Sequence, residues 1–204
     1  MALSAKGGSL RVPVWTLPWL GGALGAGAGL LLWLLRPVLP EGAAAAVALG
    51  LMTSATLAAW ERGLAPGRGV LACGVVLAAF GLRWLAFQNL PANPVAGAAA
   101  AGALARTVYV AAAWITRPAR EGAEFARSLN SAGALAALAA GLAVTAWLPL
   151  RLAWTFCAAA ILLTFAARKL GESRGGLTGR QLSAAGLLTE TLLWMVASCR
   201  SCMW

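Results

Sequence analysis

Residues 17–35 read Leu17-Pro-Trp-Leu-Gly-Gly-Ala-Leu-Gly-Ala-Gly-Ala-Gly-Leu-Leu-Leu-Trp-Leu-Leu35, without one charged side chain. As a helix this run is about 29 Å long, close to the roughly 30 Å of bilayer hydrocarbon. It shows no alternation of polar and apolar positions, so it predicts a spanning helix and not a barrel strand. Gly21, Gly25 and Gly29 fall four apart, which strips one face of side chains and lets another helix approach closely. Helix packing is the plain reading of that stripe; lining a substrate path is the alternative.

Working outward, apolar runs recur at Ala43–Trp60, Val70–Phe87, Val95–Ile115, Ala132–Leu148, Leu152–Ala167 and Leu182–Ala197. Pro149 and Arg151 separate two of them, as in a tight helical hairpin. The chain predicts an all-α, polytopic transmembrane helical bundle of about seven spans, a single membrane domain over residues 1–204. Composition agrees: 61% of the residues are hydrophobic and 11% charged, with mean hydropathy +0.79, where soluble domains are about a quarter charged. The first run lacks a convincing small-residue cleavage site and more spans follow it, so it reads as a retained helix and not a signal peptide.

Charge gives an independent test of the span boundaries. With the N-terminus inside, eleven Lys and Arg fall in inner segments and three (Arg36, Arg151 and Arg200) in outer ones, while Arg83 and Arg106 lie within spans. The asymmetry predicts an N-in orientation with the polar loops mainly cytoplasmic. Trp60, Trp114, Trp147 and Trp154 sit at span ends, as an aromatic belt requires. The net charge of +10 does not signal nucleic acid, because the basic residues flank apolar runs and form no aromatic-interleaved stripe.

The sequence contains no Asp and no His; its carboxylates are Glu41, Glu61, Glu121, Glu124, Glu172 and Glu190. Catalysis through His, zinc sites that need His and Asp-rich metal motifs are thereby excluded within this chain. Cys73 and Cys157 lie in apolar runs and read as small hydrophobes, and the Cys199–Cys202 pair lacks the context of a redox or metal motif.

Polar residues gather in three inner segments: Glu61 to Gly69, Thr116 to Asn130 and Arg168 to Arg180. The last contains Arg174-Gly-Gly-Leu-Thr-Gly-Arg180 and leads into the final span. Arg side chains beside a Gly-rich turn at a helix N-terminus form a candidate phosphate site, built from Arg174, Gly175, Gly176, Thr178, Gly179 and Arg180. It is not a P-loop, since the Gly-Lys-Ser/Thr ending is missing, and a turn joining two membrane helices is the competing reading. Glu190 lies inside the last span, where a carboxylate faces a cavity or a cationic partner; Arg83 and Arg106 are the available cations.

These segments together resemble the cobalamin synthase (adenosylcobinamide-GDP ribazoletransferase) family. The similar stretches, in the family's order, are Leu17 to Ala26, Leu64-Ala-Pro-Gly-Arg-Gly-Val-Leu-Ala72, Ala119-Arg-Glu-Gly122 and Gly175-Gly-Leu-Thr-Gly179 with the downstream Glu190. The resemblance implies a transferase of the bacterial inner membrane, acting in cobalamin biosynthesis. It implies that the protein joins adenosylcobinamide-GDP and α-ribazole to give adenosylcobalamin and GMP, among other cobalamin-assembly enzymes and membrane lipid. It implies catalytic roles for Glu121, Glu190 and Arg120, phosphate binding by the Arg174–Arg180 segment, and Mg2+ held by Glu61, Glu121 and Glu190. Two departures stand out. The family's acidic stretch before the third span is absent, Trp60 running directly into Glu61, and Arg180 replaces the Asp that ends the late glycine motif. A non-catalytic member that binds corrinoid or a partner, and a small membrane permease, are the alternative readings.

Overall fold

A computed structural model describes residues 13–51, 70–90, 93–116, 129–173 and 175–198; side chains at 70–77, 79 and 180 are excepted. The described residues form seven α-helices and no strand. A 3-10 turn at Val14–Thr16 leads into α1 (Leu17–Leu35). Then come α2 (Glu41–Leu51), α3 (Val70–Gln88), α4 (Pro94–Ile115), α5 (Ser131–Thr145), α6 (Leu150–Ser173) and α7 (Gly179–Ser198). Among the described residues three helical stretches, Val14–Leu35, Pro94–Ile115 and Leu150–Ser173, are long and apolar enough to cross a membrane. The protein is therefore a helical membrane protein by length and composition.

Helix α4 is the axis of the bundle. It packs against α1, α5, α6 and α7, and 72% of its apolar window is buried, against 39% for the first stretch and 22% for α6. Its sequence explains the position: Gly97, Ala98, Ala100, Ala101, Gly102 and Ala103 are all buried, and such small residues bring neighbouring backbones close on every side. The α1 glycines meet this surface, with α1 and α4 antiparallel. Gly21 abuts Gly102, Gly25 abuts the carbonyl of Ala98, and a Cβ at Gly29 would lie 2.7 Å from the Cα of Val95. The stripe read from the sequence is therefore a packing face.

Other contacts set the directions of the remaining helices. Gly186 of α7 lies beside Ala105 and Ala197 beside Gly97, so α7 runs antiparallel to α4. Gly171 near the end of α6 packs on Thr116 at the end of α4, and Gly141 of α5 packs on Thr107. One end of the bundle, called lower here, thus gathers the starts of α1 and α7 and the ends of α4 and α6. At the upper end, the Arg36 guanidinium donates to the carbonyls of Gln88 (3.2 Å) and Leu90 (2.6 Å), tying the end of α1 to the end of α3. The Trp84 indole N–H donates to the Gly42 carbonyl at 2.8 Å and fixes α2 alongside. The outward face carries exposed Leu34, Leu142, Ile161, Leu162, Phe165 and Leu188. A patch of this kind is costly in water and ordinary in lipid.

Predicted runs and observed helices coincide in place and differ at their ends. The run at 43–60 is described only to Leu51, the rest lying outside the described residues. Helix α5 stops at Thr145, three residues early, and a turn carries the chain through Pro149 into α6. That is the predicted hairpin. Helix α6 runs six residues past the predicted Ala167, because Arg168, Lys169 and Glu172 are good helix formers once the chain is beyond the apolar layer. The Arg168 Nε donates to the Glu172 carboxylate at 2.7 Å, an i,i+4 pair that supports the added turns.

Candidate functional site

The glycine-rich segment at the lower end is assembled from a helix stop and a helix start. Helix α6 closes with a Schellman motif: Gly175 takes the left-handed conformation, φ +74°, and the Gly176 N–H donates to the Gly171 carbonyl at 2.8 Å. Gly171 is required as well, since a Cβ there would meet Thr116 and Leu177. Leu177 turns inward and is buried with Ala112, Ala113, Ala167 and Leu182. Next, Thr178 caps α7 through a reciprocal capping box. The Gln181 N–H donates to Thr178 Oγ1 (3.3 Å), and the Thr178 N–H donates to Gln181 Oε1 (2.9 Å).

This construction assigns local work to several residues proposed for phosphate. Thr178 uses both its hydroxyl and its N–H within the cap, and Gly175 and Gly176 serve the turn. The donors that remain at the start of α7 are the N–H groups of Gly179 and Arg180, which have no carbonyl one turn below them. They point out of the positive end of the helix dipole, the direction from which an anion approaches. The structure brings Gly175, Gly176, Thr178, Gly179 and the Arg180 backbone together. Arg174, Arg120, Glu61 and Glu121, and the side chain of Arg180, lie outside the described residues.

Glu190 is elsewhere. It stands eleven residues into α7, about 17 Å along the axis from Gly179. Its carboxylate pairs with the Arg83 guanidinium at 3.1 Å. Arg83 is 6% exposed and its guanidinium carbon sits 4.5 Å from the ring centroid of Trp194, a cation–π contact. The Trp194 ring packs in turn on Phe87, centroids 4.8 Å apart. Of the two cations available from sequence, Arg83 is thus the partner of Glu190. Arg106 instead lies against Gly21 at the α1–α4 contact.

Among the described residues no group of three His, Cys, Asp or Glu side chains converges. Glu190 is engaged by Arg83, and Glu61 and Glu121, the other carboxylates assigned to magnesium, lie outside the described residues. An open apolar groove of about 520 Å³ lies over α1 and α4 above the end of α5, lined by Gly22, Ala26, Val95, Ala99 and Val144 with Trp147 at its edge. No charged group lines it.

The sequence reading missed Gln181, although Thr178-Gly-Arg-Gln181 is a legible capping box. It also missed Trp194, whose position one turn beyond Glu190 is the signal that it shares that face.

Residues 66–198, about two thirds of the chain, match the family model described as cobalamin-5-phosphate synthase (CobS). The chain belongs to the cobalamin-5-phosphate synthase family. Membership assigns it to cobalamin biosynthesis, in a family of transferases. Neither a curated protein nor a solved structure matches it. The matched region includes the Ala119–Gly122 and Gly175–Gly179 segments and Glu190, whereas the first span precedes it.

Proposed function

We propose that the protein is an adenosylcobinamide-GDP ribazoletransferase, joining adenosylcobinamide-GDP to α-ribazole with release of GMP. The family match over residues 66–198 carries this reading. In the reaction a hydroxyl of α-ribazole attacks the cobinamide-side phosphorus. The new P–O bond forms as the bond to GMP breaks, and the hydroxyl proton is lost. Such a transfer is accelerated mainly by in-line positioning and by groups that stabilise the spreading negative charge. The Gly179 and Arg180 N–H groups, with Arg174, Arg180 and Arg120, are the cationic and dipolar set assigned to the phosphates.

Glu121 is the remaining carboxylate beside Arg120 and is assigned to the hydroxyl or to Mg2+, with Glu61 as a second ligand. Magnesium would supply charge neutralisation on the phosphates. The seven-span, N-in arrangement in the bacterial inner membrane belongs to the same proposal and puts the lower end in the cytoplasm, where nucleotide-activated intermediates are made. The family description names cobalamin 5-phosphate, the product expected if the acceptor is α-ribazole phosphate, so both acceptors belong in the test.

The missing acidic stretch and Arg180 in place of Asp favour one competing reading, a member that binds corrinoid without turnover. Complementation separates the two. Bacteria lacking their own cobalamin synthase, supplied with late corrinoid intermediates and α-ribazole, should grow when they express this chain. Absence of growth, with the protein present in the membrane, supports the non-catalytic reading.

A further inference from the structure

Arg83 and Glu190 lie on helices that run parallel. Arg83 faces Glu190 at 3.1 Å and Phe87 faces Trp194 at 4.8 Å, so one constant offset relates α3 to α7 over these turns. Both pairs are largely buried: Arg83 is 6% exposed, and Phe87 and Trp194 are 0% and 1% exposed. An ion pair at such depth is a poor source of net stability but a strong source of register. A one-turn slip of α3 along α7 would separate the charges by about 5 Å and leave both in a medium of low dielectric. The Arg83–Trp194 stack and the Phe87–Trp194 contact would break in the same slip.

The consequence reaches the lower end. Val70 starts α3 thirteen residues before Arg83, and Gly179 starts α7 eleven residues before Glu190. At 1.5 Å per residue these are about 20 Å and about 17 Å, so the two helices begin at nearly the same depth. The start of α7 is the glycine-rich turn.

We infer that Arg83 and Glu190 are positioning residues: their buried pair sets the register of α3 against α7 and so fixes the level of the glycine-rich turn at the start of α7 for phosphoryl transfer. The catalytic part of this inference rests on the proposed function; the register part does not. It assigns Glu190 to alignment and takes it out of the metal site.

The test has two arms, both on the full chain in proteoliposomes. In the first, with native cysteines replaced by Ser, cysteines are placed at Phe80 and Leu187, one turn below the ion pair at the same offset. Disulfide formation between them is then followed. The parent and the reversed pair R83E/E190R should cross-link equally, and E190Q and R83Q should each lose at least fivefold in yield. Equal cross-linking in the single variants overturns the register role, whatever the activity.

In the second arm, without the added cysteines, turnover is measured. E190Q and R83Q should each lower kcat at least tenfold while KM for both substrates and the half-saturating Mg2+ stay within twofold. The reversed pair should recover to within about threefold of the parent. A reversed pair that cross-links normally but stays as inactive as E190Q, or a tenfold rise in the Mg2+ requirement of E190Q, overturns the positioning role and returns Glu190 to the metal. Normal cross-linking by a parent that never turns over leaves the register standing and refutes the proposed function and the catalytic part together.

Discussion

Gly25 and Gly50 differ in one physical respect that makes them a matched pair for experiment. A Cβ at Gly25 would collide with the Ala98 carbonyl, whereas at Gly50 no atom of the described residues lies within 4 Å. Gly25→Val should therefore destabilise the bundle by about 1–3 kcal/mol or more through overpacking, and Gly50→Val should change it little. Thermal unfolding of the two variants in detergent checks this; equal melting temperatures would refute the close α1–α4 contact. The Arg83–Glu190 pair invites a second comparison. Removing one partner strands a buried charge at a cost of about 3–5 kcal/mol, while replacing both by apolar side chains is often neutral. R83M/E190M should then melt closer to the parent than either R83M or E190M alone, although only the ion pair preserves the register.

At the scale of the elements, the connector between α6 and α7 is the most informative. Gly175→Ala forces a side chain into φ +74°, at a cost of about 1 kcal/mol. Thr178→Ala removes the cap hydroxyl that accepts from Gln181, again about 1 kcal/mol. Amide exchange should report faster opening of the first turn of α7 in both, with the end of α6 affected by Gly175→Ala alone. Helices were legible in the sequence because long uncharged runs admit no other structure in lipid. Their ends were less legible. The eye follows hydrophobicity, which stops at Ala167, while the backbone follows hydrogen bonds, which continue to the Gly175 turn. Arginines beside a Gly-rich turn made Gly175-Gly-Leu-Thr-Gly179 read as a phosphate cradle; in the structure Gly175, Gly176 and Thr178 also serve two helix caps. Among the described residues the Gly179 and Arg180 N–H groups remain for an anion, beside the Arg174 and Arg180 side chains that lie outside them. The role of Glu190 was half legible: its need for a cation followed from burial, but the choice of Arg83 over Arg106 depends on which helices are neighbours.

At the scale of the whole molecule, one helix of small residues organises the rest. The wide exposed apolar faces of α1, α5 and α6 make sense only with lipid around them. Sidedness follows from charge in the N-in proposal and is open to a direct check. Val38 at the upper end and Ser173 at the lower end are both exposed. In intact cells, and in a background without native cysteines, a membrane-impermeant maleimide should label Val38→Cys and not Ser173→Cys. The opposite pattern would invert the topology and take the glycine-rich turn away from cytosolic nucleotides.

Under the proposed function, this member of the cobalamin-5-phosphate synthase family transfers the phosphoryl group. The direct measurement is GMP release by the purified chain in proteoliposomes given adenosylcobinamide-GDP, with and without α-ribazole or its phosphate. GMP should form in step with the cobalamin product and only when an acceptor is present. A folded, inserted protein that binds the corrinoid yet releases no GMP with either acceptor would contradict it.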